Sequence, residues 1–168
     1  MGCNIDSLGY IIEFSIGLAG FSGVIAVFTS RLPGRGELDR WRIRNLLLLS
    51  MGPAFISFAA LALLDLASSE GGAWRLACLI QATFLVITLV VTFSKKTQLA
   101  QELQSQIRMP VMYLVLISFS SLALLLATAG LGISGLNPSI VFYMGLVFIL
   151  LVGAYQFFRA VLQRLEGS

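Results

Sequence analysis

Five long apolar stretches alternate with short polar breaks along this chain: Leu8–Ser30, Asn45–Leu66, Ala73–Ser94, Met109–Ile133 and Pro138–Phe158. Each has roughly the 20 mostly apolar residues a helix needs to cross the hydrocarbon core of a bilayer. The pattern predicts an all-α, polytopic integral membrane protein, a bundle of five transmembrane helices. Nearly every residue belongs to a span or a short link, so residues 1–168 are expected to form a single transmembrane domain with no room for a second.

The breaks carry the stop and start signals of helices. Leu32-Pro33-Gly34-Arg35-Gly36 ends the first span with a turn. Glu37 and Asp39 then stand at the expected start of the second helix, where its dipole favours acids. Gly130, Gly132 and Gly135 interrupt the outer end of span 4, and Asn137-Pro138 reads as N-cap and first turn of span 5. Pro53, after Gly52, lies inside span 2 and predicts a kink, which makes it a candidate hinge. Between spans 3 and 4, Leu99, Leu103 and Ile107 recur every four residues. The cytoplasmic segment 95–108 is therefore expected to be amphipathic and to offer the best surface for a cytoplasmic protein partner.

Composition agrees with the pattern. The chain is 58% hydrophobic and 11% charged, with a mean hydropathy of +0.93, more apolar surface than a soluble domain of this length can hide. Charge then adds an orientation. Arg31, Arg35, Arg40, Arg42 and Arg44 fall between spans 1 and 2, Lys95, Lys96 and Arg108 between spans 3 and 4, and Arg159 and Arg164 after span 5. Arg75 stands alone on the other side. Basic residues stay cytoplasmic, so the expected topology is N-terminus out and C-terminus in. A bacterial inner membrane suits so compact and charge-segregated a design. Topology accounts for the arginines of loop 31–44, and no nucleic acid is expected as a partner. Trp41 with Arg40, Arg42 and Arg44 reads as an interfacial anchor against membrane lipids, the ring at headgroup depth and the basic chains snorkelling.

The ends and cysteines add little. The opening residues lack a basic n-region, so span 1 is expected to stay in the mature protein. Met1-Gly2-Cys3 lacks the Ser or Thr that an acylation signal wants at position 6, where Asp6 stands. Cys3 and Cys78 both fall on the outer side, and nothing in their spacing demands a bridge.

Candidate chemistry rests on polar residues inside the spans. Glu13 lies about a turn and a half into span 1, where an acid costs up to about 2.5–3.5 kcal/mol at the bilayer centre. Gly9, Gly17 and Gly20 share its helical face and Gly23 lies nearby, a set expected to let another helix approach closely. Gln81, Thr88 and Thr92 form a polar stripe on span 3, and Asp65 closes span 2 on the outer side. Glu13, Asp65, Gln81, Thr88 and Thr92 are therefore the candidate ion or solute pathway, the acids concentrating cations at an outer mouth.

Histidine is absent, which removes His-ligated haem, His-based metal sites and Ser-His or Cys-His catalysis. There is no P-loop, HExxH or CxxC pattern. No catalytic residues, metal or cofactor are expected, and the protein is not expected to be an enzyme. The leading expectation is a small oligomeric channel or transport protein for a cation or small solute. The alternative is a non-conducting accessory or scaffold subunit of a larger membrane complex, and a further alternative is a membrane-targeting effector or sensor. Five short, glycine-rich spans bury little among themselves, so a homo-oligomer or complex subunit is expected in each case.

Overall fold

The computed structural model describes residues 5–30, 37–98 and 109–165, with side chains over 6–24, 43–92, 94, 113–159 and 161–162. The described part is all helix and links: α1 (Ile5–Ser30), α2 (Glu37–Leu66), α3 (Glu70–Gln98), α4 (Met109–Gly130) and α5 (Pro138–Leu165). All five contain a stretch long and apolar enough to cross a membrane, Asp6–Val24, Ile43–Leu66, Glu70–Thr92, Tyr113–Gly130 and Pro138–Arg159. The five predicted spans are therefore five helices, and the protein is an integral membrane protein. The helices outrun the apolar runs: α2 begins at Glu37, as its acids suggested, and α3 continues to Gln98.

The chain divides into two compact units, one of residues 1–58 and 146–168, the other of 59–145. In the first, α1 presents Leu8, Ile11, Ser15, Leu18 and Ser22 inward. Their spacing alternates three and four residues, the seam of a helix packed along its length. Near the middle of this unit Gly153 of α5 meets α1 and α2 together. A Cβ built there would lie 3.5 Å from Leu18 Cδ2 and 3.6 Å from the Leu49 carbonyl oxygen. Leu49 is four residues before Pro53, so its carbonyl is the one left without an amide partner by the proline. Both distances are ordinary van der Waals contacts, so α5 packs here on the turn before Pro53 with room for a methyl group. Phe21 and Phe157 add a tilted ring contact at 6.4 Å.

In the second unit α3 and α4 pack as an antiparallel pair. α3 buries Ala73, Trp74, Ala77, Cys78, Gln81, Ala82, Leu85 and Thr88, a face repeating every three to four residues. α4 answers with Phe119, Ala123, Leu126 and Ala129. Small residues dominate where the backbones are nearest. A Cβ at Gly130 would come within 2.8 Å of Leu79 Cγ and 2.9 Å of the Arg75 carbonyl oxygen. Trp74 stacks at a tilt on Phe142 and Tyr143, with centroids 5.7 and 5.8 Å away.

The links obey their sequence signals. α4 stops in a Schellman cap: Gly132 has φ +73°, its N–H donates to the Ala129 carbonyl, and the Ile133 N–H donates to the Thr128 carbonyl. Asn137 caps α5 as expected, its Oδ1 accepting from the Ser139 N–H at 3.1 Å and the Ser139 hydroxyl at 2.8 Å.

Candidate functional site

The structure treats the two groups of predicted site residues in opposite ways. Those on α3 are packed, and the acids are exposed. Gln81 is 0% exposed. Its amide lies over Gly145 of α5 so closely that a Cβ there would sit 2.6 Å from Nε2, 3.1 Å from Cδ and 3.2 Å from Oε1. One turn toward the start of α3, the Cys78 thiol is free and buried and donates to the Pro138 carbonyl at 3.2 Å. Thr88 is buried and spends its hydroxyl on the Phe84 carbonyl of its own helix at 2.8 Å. Thr92, a turn further on, is half-buried. The stripe Gln81–Thr88 is thus part of the helix contact in this unit.

Most serines and threonines in the spans follow Thr88. Ser15 and Ser22 donate to the Ile11 and Leu18 carbonyls at 2.7 Å, and Ser50 to the Leu46 carbonyl at 2.8 Å. Ser118 and Ser121 likewise bond back to Leu114 and Ser118. Ser57 departs from the pattern. Its hydroxyl is buried one turn beyond Pro53 without a hydrogen-bond partner among the described residues.

Glu13 is exposed, and it stands on the side of α1 opposite the Leu8–Ser22 seam. Gly9, Gly17 and Gly20 share that outward face, and Gly23 lies at its edge. A Cβ at any of the four would meet no described atom within 4 Å. The close approach these glycines permit is therefore not used by the described residues of this chain. The glycines held tightly against another helix are on α4 and α5 instead, at Gly130 and Gly145. Asp65 is exposed in the last turn of α2, where a carboxylate opposes the helix dipole. Pro53 is buried inside the continuous helix α2, one turn after the Leu49 carbonyl that faces Gly153. Arg44 is exposed. The side chains of Arg40, Trp41 and Arg42, the loop 31–36 and residues 99–108 of the amphipathic segment lie outside the described residues.

Arg75 has a role that sequence reasoning missed. Its guanidinium covers the cap of α4, with Cζ 3.1 Å from where a Cβ of Gly132 would be. A cation is favoured there, because the last carbonyls of a helix carry a partial negative charge. Gly145 and Gly153 were also missed, although their spacing of eight residues puts both on one face of α5. The signal existed, but glycine pairs on α1 gave the same signal, and only packing separates them.

The fold and these contacts define a class, an all-α integral membrane protein in which most buried hydroxyls bond back to their own helices. No protein-family model matches the chain, no curated protein is significantly similar to it, and no solved structure shares its fold at a significant level.

Proposed function

We propose that the protein works by lateral association in the bilayer, as a non-conducting scaffold subunit rather than as a channel. One observation supports this above the others. The polar side chains within the α3 contact are engaged with their own helices and neighbours, while the Glu13 face of α1 is turned outward with open space over three glycines. Interhelical association in lipid is driven by close packing and polar contacts, and small residues beside a hydrogen-bonding group supply both. An ionisable residue held in a span at a cost is retained for a role, and on this reading the role of Glu13 is docking. The membrane proposed is a bacterial inner membrane, with the basic loop 31–44 in the cytoplasm as an anchor on membrane lipids.

A second reading is an oligomeric pathway for a cation or small solute between copies. The exposed carboxylates of Glu13 and Asp65 favour it, since acids at a mouth raise the local cation concentration. Reconstitution separates the two. The purified protein in liposomes is expected to pass no more cation than protein-free vesicles, while native mass measurement in nanodiscs shows a defined assembly. Cation flux that Glu13→Gln abolishes would replace the scaffold reading with the channel, and a monomer in lipid would remove both.

A further inference from the structure

Glu13 is an exposed carboxylate inside a membrane-spanning stretch, so something other than lipid must answer it. Among the described side chains one cation matches it, Arg75. Consecutive spans cross in alternate directions, so α1 and α3 enter the bilayer from the same side. Glu13 lies seven residues into its stretch, Asp6–Val24, and Arg75 five residues into its own, Glu70–Thr92. At 1.5 Å per residue the two groups differ in depth by about 3 Å, within the reach of an arginine side chain. Arg75 covers the α4 cap yet remains exposed, so its outer edge is open to a second acceptor. The other basic residues with described side chains, Arg44 and Arg159, belong to the opposite ends of their spans.

The backbones match as well. In a parallel register that sets Glu13 against Arg75, Gly9 falls opposite Gly71, and neither has a described atom within 4 Å of a Cβ position. The same register sets Gly17 opposite the half-buried Leu79, with the exposed Thr83, Val86 and Val90 continuing the outward ridge of α3. One face is a glycine groove with an acid, and the other is a ridge of larger side chains with a base.

We propose that a second copy of this chain docks on the outward face of α1, with its Arg75 paired to Glu13, so that copies join head to tail through α1 and α3. The proposal rests on the association reading above and names the partner. A head-to-tail contact between unlike faces closes into a ring when the rotation per subunit allows it.

Mixed-chain cross-linking tests it. In a full-length background of Cys3→Ser and Cys78→Ala, one tagged chain carries Glu13→Cys and a second, differently tagged chain carries Arg75→Cys. Co-reconstituted in nanodiscs and oxidised, they are expected to give the mixed disulfide above either self-pair. Glu13→Arg is expected to weaken association by roughly three- to tenfold, and adding Arg75→Glu is expected to restore it. Gly17→Ile fills open space in a single chain, so it is expected to lower association without lowering the unfolding temperature. An assembly that persists with no mixed disulfide, or with Glu13→Cys self-pairs only, overturns this contact but leaves the scaffold reading standing. Loss of any assembly in the unsubstituted protein overturns both.

Discussion

Gln81 and Gly145 show how a single missing methyl group positions a polar side chain inside a membrane helix pair. The carboxamide fills the space that a Cβ would occupy, so the two residues are one feature. Three glycine-to-alanine changes should therefore differ sharply. Gly130→Ala sets a methyl 2.9 Å from the Arg75 carbonyl, and backbone cannot step aside, so an overpacking cost of about 2–3 kcal/mol is expected. Gly145→Ala meets the end of a side chain, which can swing at the expense of its buried position, and about 1–2 kcal/mol is expected. Gly153→Ala meets nothing nearer than 3.5 Å and should be close to neutral. Equilibrium unfolding in mixed micelles ranks the three. The double variant Gly145→Ala with Gln81→Ala should recover part of the loss, since neighbouring substitutions couple; full additivity would show that the amide and the glycine are independent. Glu13 and Asp65 were legible as in-span or span-edge acids from the sequence. Their exposure was not, because a one-dimensional pattern gives the angle between residues on a helix but not which angle faces a neighbour.

At the scale of the element, what the sequence specified best was where helices start and stop. Asn137-Pro138 opens α5 and a glycine run closes α4, because caps depend on local backbone chemistry alone. Which face of α1 packs within the chain is not a local property, and periodicity offers two. Gly9, Gly17 and Gly20 have the spacing of a close-packed ridge, while the seam actually buried has Leu8, Ile11, Ser15, Leu18 and Ser22. In lipid, Leu and Ser serve as well as Gly for packing when the approach is less close, so periodicity alone does not choose between the faces. The caps give the element-scale prediction. Asn137→Ala removes the acceptor for the Ser139 N–H and hydroxyl and should cost about 1 kcal/mol, whereas Asn137→Asp should cost little. Gly132→Ala forces a side chain to φ +73° and crowds the Arg75 guanidinium, so its loss should be at least as large. Amide exchange at the first turn of α5 and the last turn of α4 reads each effect where it acts, and protection lost along the whole chain instead would contradict a local role.

For the whole molecule the open physical quantity is orientation, and two arguments of different origin constrain it. Five helices long enough to span, each crossing once, are expected to put the ends of the chain on opposite sides of the membrane. The distribution of charge then chooses between the two arrangements: ten of the eleven Lys and Arg residues lie at the breaks after spans 1, 3 and 5, and one, Arg75, lies on the other side. A basic residue costs more to translocate than an acid, so the C-terminus and loop 31–44 are expected in the cytoplasm and the N-terminus outside. Loop 31–44 carries five arginines within the distance over which such residues count, so it should dominate the decision. A reporter active only in the cytoplasm, fused after Ser168, is expected to be active, and a membrane-impermeant thiol reagent should label a cysteine introduced at Ser69 in intact cells. Replacing Arg31, Arg35, Arg40, Arg42 and Arg44 by Gln should produce a mixed population in which part of the reporter signal is lost. An unchanged signal would move the orientation determinant to Lys95, Lys96 and Arg108, and an inactive reporter on the unsubstituted chain would reverse the topology. Reversal would carry Glu13, Asp65 and Arg75 to the cytoplasmic side together, so the pairing proposed between copies depends on their common depth and not on which side of the bilayer they face.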